Sequence, residues 1–214
     1  MGAEVVPGIS YSYSNPGFNT LGALVEIASG QPLEAFLDQR VYTPLGMHDS
    51  YHHEVAEKME GKLERMGAVY YSRDRESGEW LPGWEPGDPA QVPFVRASGG
   101  MISTAMDYAV FCQMYLNGGV YGGIRILQER TVRTMTTDTY LAGGELDGER
   151  GVRVGYGMGW NVARDGTFSH TGSDGTAAWV DPNHDLIVLV FTQTPRGTNP
   201  RGKFLELVRS AVLN

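Results

Sequence analysis

The segment Tyr13-Ser14-Asn15 places a phenol, a hydroxyl and an amide directly before a predicted helix. Asn15-Pro16 is typical of a helix N-cap followed by proline at the first helical position, so the helix start can hold these side chains rigidly. A tyrosine phenol has a pKa of about 10 and is a poor general base at neutral pH unless nearby positive charge lowers that pKa. Taken alone, the segment favours a structural role, in which Tyr13 packs its ring and Asn15 only caps the helix. The alternative is a chemical role for the Tyr13 phenol.

A second polar segment, His170-Thr171-Gly172-Ser173, follows a strand-like run. Small residues at a strand end leave backbone N–H groups accessible to a substrate carbonyl. A histidine there can supply a proton or a hydrogen bond near neutral pH. Taken alone, the segment favours a polar strand end with an ordinary histidine, and the alternative is an oxyanion-binding site beside a histidine.

These two segments belong to a series of motifs that runs along nearly the whole chain. The series is Pro7-Gly8, Tyr11-x-Tyr13-Ser14-Asn15-x-Gly17-Phe18, Leu21-Gly22, Ser29-Gly30, Pro44-Leu45-Gly46-Met47, Ala97-Ser98-Gly99-Gly100-Met101-Ile102-Ser103-Thr104, Tyr156-Gly157-Met158-Gly159-Trp160 and His170-Thr171-Gly172. In type and order it resembles the serine β-lactamase-like family. That family includes class C β-lactamases, penicillin-binding proteins, D-amino-acid peptidases and related esterases.

The resemblance implies a role for each matching residue. Tyr13 stands where the family has its general base, and Asn15 where it has the asparagine that positions the acyl group or the catalytic lysine. His170 replaces a lysine common in true β-lactamases and would polarise the site, as in the esterase and peptidase branches. In the Thr171-Gly172-Ser173 segment, which would bind substrate, the Ser173 N–H would be half of the oxyanion hole. The implied reaction is acyl-enzyme hydrolysis of a small-molecule ester, amide or β-lactam, with no cofactor.

The family's nucleophile is the serine of a Ser-x-x-Lys motif that precedes Tyr-Ser-Asn. The three lysines of this chain follow Val55, Met59 and Pro200 at that spacing, and the chain has no Gly-x-Ser-x-Gly motif either. We therefore expect a C-terminal portion of such a hydrolase that is inactive alone. The family's nucleophile helix and first strands would be missing with it. The apolar faces left exposed should self-associate or bind the missing N-terminal portion.

The elements that must position these residues change in character near residue 150. Residues 1–150 predict helices and a long Pro/Gly-rich loop over Gly78–Val95, whereas residues 151–214 predict antiparallel strands and a C-terminal helix. This order predicts an α+β fold, an incomplete β-lactamase/transpeptidase-like fold with both parts in one compact domain. The predicted helices are 15–30, 32–40 ending at Thr43-Pro44, 103–118, 128–136 and one starting at 199, and the predicted strands are 152–163, 167–170, 176–181 and 186–194.

The composition excludes several classes of protein. A net charge of −8 argues against nucleic-acid binding, and the longest apolar run, Leu186–Phe191, is too short to span a membrane. Met1–Glu4 shows no leader pattern, so no signal peptide is predicted at this end, and the compartment stays open. Cys112 is the only cysteine, which excludes an intrachain disulfide and predicts a buried small hydrophobe.

The sequence leaves two alternative functions open, a zinc-binding protein and a non-catalytic binding module. His48 and His52 have helical i, i+4 spacing and lie near His53, Glu54 and Glu57, which could form a zinc site. His-Glu-Val-Ala-Glu is not the His-Glu-x-x-His motif, so a solvated loop is the favoured interpretation and no metal is predicted. The other function is a non-catalytic binding or interaction module built on the same scaffold.

Overall fold

Helix α1, Asn15–Ser29, carries the first site segment at its N-terminus. It belongs to a computed structural model that describes residues 11–74, 76–137, 146–147, 152–193 and 200–212. Gly30 ends the helix with a φ of 69°, a left-handed conformation that glycine adopts without steric cost, and its N–H donates to the Glu26 carbonyl. The predicted helix end is confirmed.

A second helical stretch is longer than the sequence predicts. It consists of α2 (Leu33–Leu37), a π-helical turn (Asp38–Tyr42) and α3 (Thr43–Leu45). The predicted end at Thr43-Pro44 is wrong. The Thr43 N–H donates to the Asp38 carbonyl five residues earlier, and this wider turn accommodates the ring of Pro44. Gly46, with a φ of 70°, ends the stretch instead.

The region between the helices contains two short antiparallel strand pairs. They are β1 (Tyr51–His52) with β4 (Met101–Ile102), and β2 (Val69–Arg73) with β3 (Trp80–Trp84), while single 3-10 turns span Ala56–Met59 and Leu63–Arg65. The prediction of one loop over Gly78–Val95 is wrong where β3 forms. Within the described residues β3 pairs only with β2, so Pro82, which has no N–H, occupies an edge strand. Shifts of register on both sides of Tyr70 accompany this pairing.

Helix α4, Ala105–Leu116, connects the helical region to the sheet. The Thr104 hydroxyl caps it by accepting from the Asp107 N–H at 3.1 Å. The elements that follow are β5 (Val120–Tyr121), β6 (Ile124–Arg125) and α5 (Glu129–Met135). The last of these confirms the helix predicted over residues 128–136.

The C-terminal strands form one antiparallel sheet. They are β7 (Leu146–Asp147), β8 (Val152–Tyr156), β9 (Asn161–Ala163), β10 (Phe168–Thr171), β11 (Ala177–Asp181) and β12 (Leu186–Val190). Their order across the sheet is β12-β11-β10-β9-β8-β7. All four predicted strand regions are confirmed, but residues 152–163 form two strands. A tight turn separates them, in which the Gly157 N–H donates to the Trp160 carbonyl at 2.8 Å.

Helix α6, Arg201–Val212, packs on one face of β12. Leu205 is buried against β11 and β12, and Val208 packs beside it. The helix predicted to start at residue 199 is confirmed, although Phe204 and Leu207 are exposed.

The main hydrophobic cluster joins the helices to the other face of the sheet through α4. It contains Tyr42, Leu45, Met47, Cys112, Met114, Tyr115, Val132, Trp160, Val162, Phe168, Ala178 and Val180. Burial raises the pKa of the Cys112 thiol to about 12, so this side chain is a buried hydrophobe, as predicted. Helices on an antiparallel sheet make this an α+β fold. None of the helices in the described ranges is long and apolar enough to cross a membrane.

Candidate functional site

The structure brings the two predicted site segments together. Tyr13 lies just before α1 and His170 lies in β10, and their ring centroids are 6.2 Å apart. Tyr13 also contacts the Phe18 ring, at 5.9 Å between centroids. Its side chain is half exposed, so it can reach a bound molecule. Residues far apart in the sequence therefore share one surface.

The cap of α1 differs from the predicted one. The Ser14 side chain accepts a hydrogen bond from the Gly17 N–H at 3.0 Å, and Asn15 is the first helical residue. The prediction that Asn15 caps the helix is wrong, because Ser14 already fills this position. The exposed Asn15 amide is not needed for helix formation, and it lies two residues from Tyr13.

This geometry predicts that Ser14 and Asn15 affect stability differently. Ser14→Ala is expected to lower the free energy of unfolding by about 1 kcal/mol, because the Gly17 N–H loses its side-chain acceptor. Asn15→Ala, the matched control, is expected to change it by less than about 0.5 kcal/mol. Urea unfolding of both variants checks this. An equal loss for both would restore Asn15 as a capping residue.

The segment that follows His170 forms a narrow exposed turn. Thr171 ends β10, and the Gly172 N–H donates to the Thr176 carbonyl at 2.9 Å. A Cβ at Gly172 would collide with the Thr176 hydroxyl unless that side chain rotated, so glycine fits this turn without rearrangement. Among the described residues, the Ser173 N–H has no hydrogen-bond acceptor. An exposed N–H of this kind can donate to a substrate oxygen.

His170 is held at both ring nitrogens. Nδ1 lies 2.9 Å from the Thr171 carbonyl oxygen and Nε2 lies 3.5 Å from the Tyr156 hydroxyl. Burial holds the pKa of His170 below its usual range, and the hydrogen bond to Thr171 only partly opposes this effect. The unfolded chain binds this proton more readily than the folded chain. His170 therefore reduces stability as the pH falls below about 6.5 toward the lowered pKa.

Sequence reasoning missed two aromatic members of this site. The Tyr11 and Tyr156 rings stack at 4.5 Å between centroids, and the Tyr156 ring lies 6.4 Å from that of His170. Both tyrosines stood within recognised motifs, so a signal existed. The contact of Tyr156 with His170 depends on the order of the strands, since β9 lies between β8 and β10 and begins only at Asn161.

The candidate zinc ligands lie elsewhere and have other partners. His52 Nδ1 is 2.6 Å from Glu34 Oε2, with both side chains buried, and His53 Nδ1 is 3.1 Å from the Gly100 carbonyl oxygen. Glu54 pairs with Arg96 at 2.6 Å. Across the described part of the chain, no three His, Cys, Asp or Glu side chains are grouped to hold a metal ion.

Comparison of the sequence with known families gives a match over almost the whole chain. The family model for Beta-lactamase matches residues 2–212. A protein of Escherichia coli (strain K12) with the provisional name D-alanyl-D-alanine carboxypeptidase is 27% identical over 207 residues, which cover 90% of this chain and 47% of that protein. The chain thus spans about half the length of the curated relatives it matches.

Solved structures show the same fold. The octameric penicillin-binding protein homologue from Pyrococcus abyssi has a TM-score of 0.74 and 25% identity, covering 97% of this chain and 44% of that chain. EstCE1, a hydrolase with promiscuous acyltransferase activity, also has a TM-score of 0.74, at 21% identity, covering 98% of this chain and 58% of that chain. Since the family model matches almost the whole chain, this chain belongs to the Beta-lactamase family.

Proposed function

We propose that this chain is the C-terminal portion of a serine hydrolase that hydrolyses an ester, amide or β-lactam through an acyl-enzyme. The contact between the Tyr13 and His170 rings carries this proposal, because it joins the two chemically equipped segments at one surface. Tyr13 is the general base, and Asn15 orients the acyl group. The Ser173 N–H stabilises the oxyanion at the tight turn after β10. The carboxypeptidase name of the E. coli relative supports acyl transfer.

Two components of that reaction must come from outside this sequence. One is the nucleophile, because none of the three lysines lies in a Ser-x-x-Lys motif. The other is the positive charge that lowers the pKa of a tyrosine base. His170 does not supply it at neutral pH, since burial keeps the imidazole neutral. A segment that carries Ser-x-x-Lys would supply both components.

The surface of α1 offers a place for such a segment. Glu26 is its only charged residue, and the face of Leu21, Leu24 and Ile27 is exposed, with Ile27 at 78%. A contiguous apolar face on a helix normally packs against another part of the fold or against a partner. The relatives are about twice as long as this chain, so a covering segment has a source. We propose that the N-terminal portion of the fold covers this face and places its serine beside Tyr13.

Labelling with a fluorophosphonate, which reacts with activated serines, tests the proposal. The chain alone is expected to show no adduct by intact-mass spectrometry and no hydrolysis of a chromogenic ester or cephalosporin. The same chain assembled with an N-terminal portion that carries Ser-x-x-Lys is called the completed enzyme below. It is expected to gain one stoichiometric adduct on that serine and to hydrolyse one of the substrates. The matched control replaces that serine by alanine.

Two results would overturn the proposal. One is a stoichiometric adduct on a serine of this chain alone, which peptide mapping would locate. The other is a completed enzyme that is folded but neither labelled nor active. A monodisperse chain that reversibly binds an acyl compound without turnover would favour the non-catalytic binding module. Size-exclusion chromatography separates the two hypotheses early, because the exposed α1 face predicts self-association of the chain alone.

A further inference from the structure

We infer that Tyr156 is a positioning residue that fixes the tautomer of His170 by donating its hydroxyl proton to Nε2. The contact on which this rests is the 3.5 Å approach of the Tyr156 hydroxyl to His170 Nε2. Only the consequence for acyl transfer rests on the proposed function. The placement of the proton rests on the hydrogen-bonding partners alone.

The partner of the other ring nitrogen fixes where the proton lies. His170 Nδ1 is 2.9 Å from the Thr171 carbonyl oxygen, and a carbonyl oxygen can only accept. Nδ1 therefore carries the proton. In a neutral imidazole Nε2 then has only a lone pair, so the Tyr156 hydroxyl must donate to it. The two partners select the same tautomer.

The pKa shifts of Tyr156 and His170 agree with donation from the Tyr156 hydroxyl to His170 Nε2. Burial raises the pKa of the Tyr156 phenol, so the hydroxyl keeps its proton and remains a donor. Burial holds the pKa of His170 below its usual range, so the ring remains a neutral acceptor. A side-chain hydrogen bond with Tyr11 also raises the pKa of Tyr156. A protonated Tyr156 hydroxyl therefore faces an unprotonated Nε2.

The backbone around Tyr156 leaves this phenol little freedom. Tyr156 is buried and pairs with Asn161 across the β8–β9 ladder. The next residue, Gly157, donates to the Trp160 carbonyl, and a Cβ there would collide with the Met135 carbonyl oxygen. The Tyr11 ring covers one side of the phenol. A phenol fixed in this way can hold the His170 ring in one orientation.

The consequence for the site is a histidine that presents a fixed, neutral ring. Both nitrogens of His170 have hydrogen-bond partners, and the ring is neutral. Tyr13 therefore packs beside an uncharged ring, at 6.2 Å between ring centroids. The titratable side chains in ring contact with His170 are Tyr13 and Tyr156. In the proposed reaction His170 then helps to position the general base, Tyr13, through ring packing. Another group supplies the positive charge that a tyrosine base needs.

Long-range proton–nitrogen NMR of the imidazole rings tests this directly, with His170→Gln to assign the signals. In the wild-type chain we expect protonated Nδ1 and unprotonated Nε2 at His170. Tyr156→Phe keeps the aromatic ring and removes the donor. We expect the proton-binding constant of His170 to rise about threefold and the Nε2–H tautomer to gain population, because the neutral Nδ1–H form loses one hydrogen bond. Tyr121→Phe, which alters a tyrosine of β5, is expected to change neither quantity.

A wild-type His170 protonated at Nε2 would overturn the inference, even if Tyr156→Phe fails to fold. A folded Tyr156→Phe chain with an unchanged tautomer and an unchanged binding constant would do the same. Neither measurement needs activity. Failure here leaves the proposed acyl transfer standing, and an inactive completed enzyme leaves the tautomer assignment standing.

Discussion

His52→Ala is expected to lower the free energy of unfolding by about 3–5 kcal/mol, because it leaves the Glu34 carboxylate buried without its partner. His52 and Glu34 are only 4% and 5% exposed, and their side chains meet at 2.6 Å. The second carboxylate oxygen, Glu34 Oε1, already has no hydrogen-bond partner among the described residues. The pair links α2 to β1, and neither residue belongs to the candidate site. Urea unfolding at pH 7 measures the loss.

A histidine of similar chemistry provides the control. His184 pairs with Asp181 at 2.9 Å, but the His184 side chain is 47% exposed. His184→Ala is expected to cost less than about 1 kcal/mol, since water replaces the lost partner. Replacing His52 and Glu34 together by alanine should cost less than the sum of the two single losses. Equal losses for His52→Ala and His184→Ala would show that the buried pair contributes no more than a surface pair.

Tyr13→Phe is expected to lower kcat of the completed enzyme by about 10²–10⁴-fold, the usual loss for a general base. The phenyl ring keeps its contacts with Phe18 and His170, so only the hydroxyl is removed. Because Tyr13 is half exposed, the free energy of unfolding should change by less than about 0.5 kcal/mol. Steady-state hydrolysis of a chromogenic ester measures the first quantity, and urea unfolding measures the second.

Tyr121→Phe is the matched control for activity, because it removes a hydroxyl from β5 and leaves the candidate site intact. It is expected to retain kcat within about twofold. A loss of less than tenfold in Tyr13→Phe, with adduct formation intact, would assign proton transfer to another group. The proposed role of Tyr13 would then be wrong, although the acyl-enzyme route would remain.

Local signals predicted the elements of this fold well. The start of α1 near Asn15, its end at Gly30 and the cap of α4 at Thr104 depend on residues within one or two turns. The failures have equally physical causes. A wide turn let the helix continue through Pro44, and an edge strand admitted Pro82. Both outcomes depend on geometry that the types of neighbouring residues do not encode.

The candidate site, like the fold, is predictable from the sequence only in part. The motif series predicted that Tyr13, Asn15, His170 and the turn through Ser173 act together, and the structure places Tyr13 beside His170. The role of Tyr156 was not predictable, because its contact with His170 spans an intervening strand and depends on where that strand begins. Strand order is a property of the whole sheet. Pairings of this kind emerge only in three dimensions.

The exposed face of α1 makes the stability of this chain a matter of mass action. Any molecule that covers Leu21, Leu24 and Ile27 in the folded state, but does not bind the unfolded chain, adds a free energy that grows with its concentration. A second copy would make the melting temperature rise with protein concentration, whereas an N-terminal portion would make it rise with the dose of that portion. A dilution series therefore identifies what covers the helix, without a substrate or a catalytic assay.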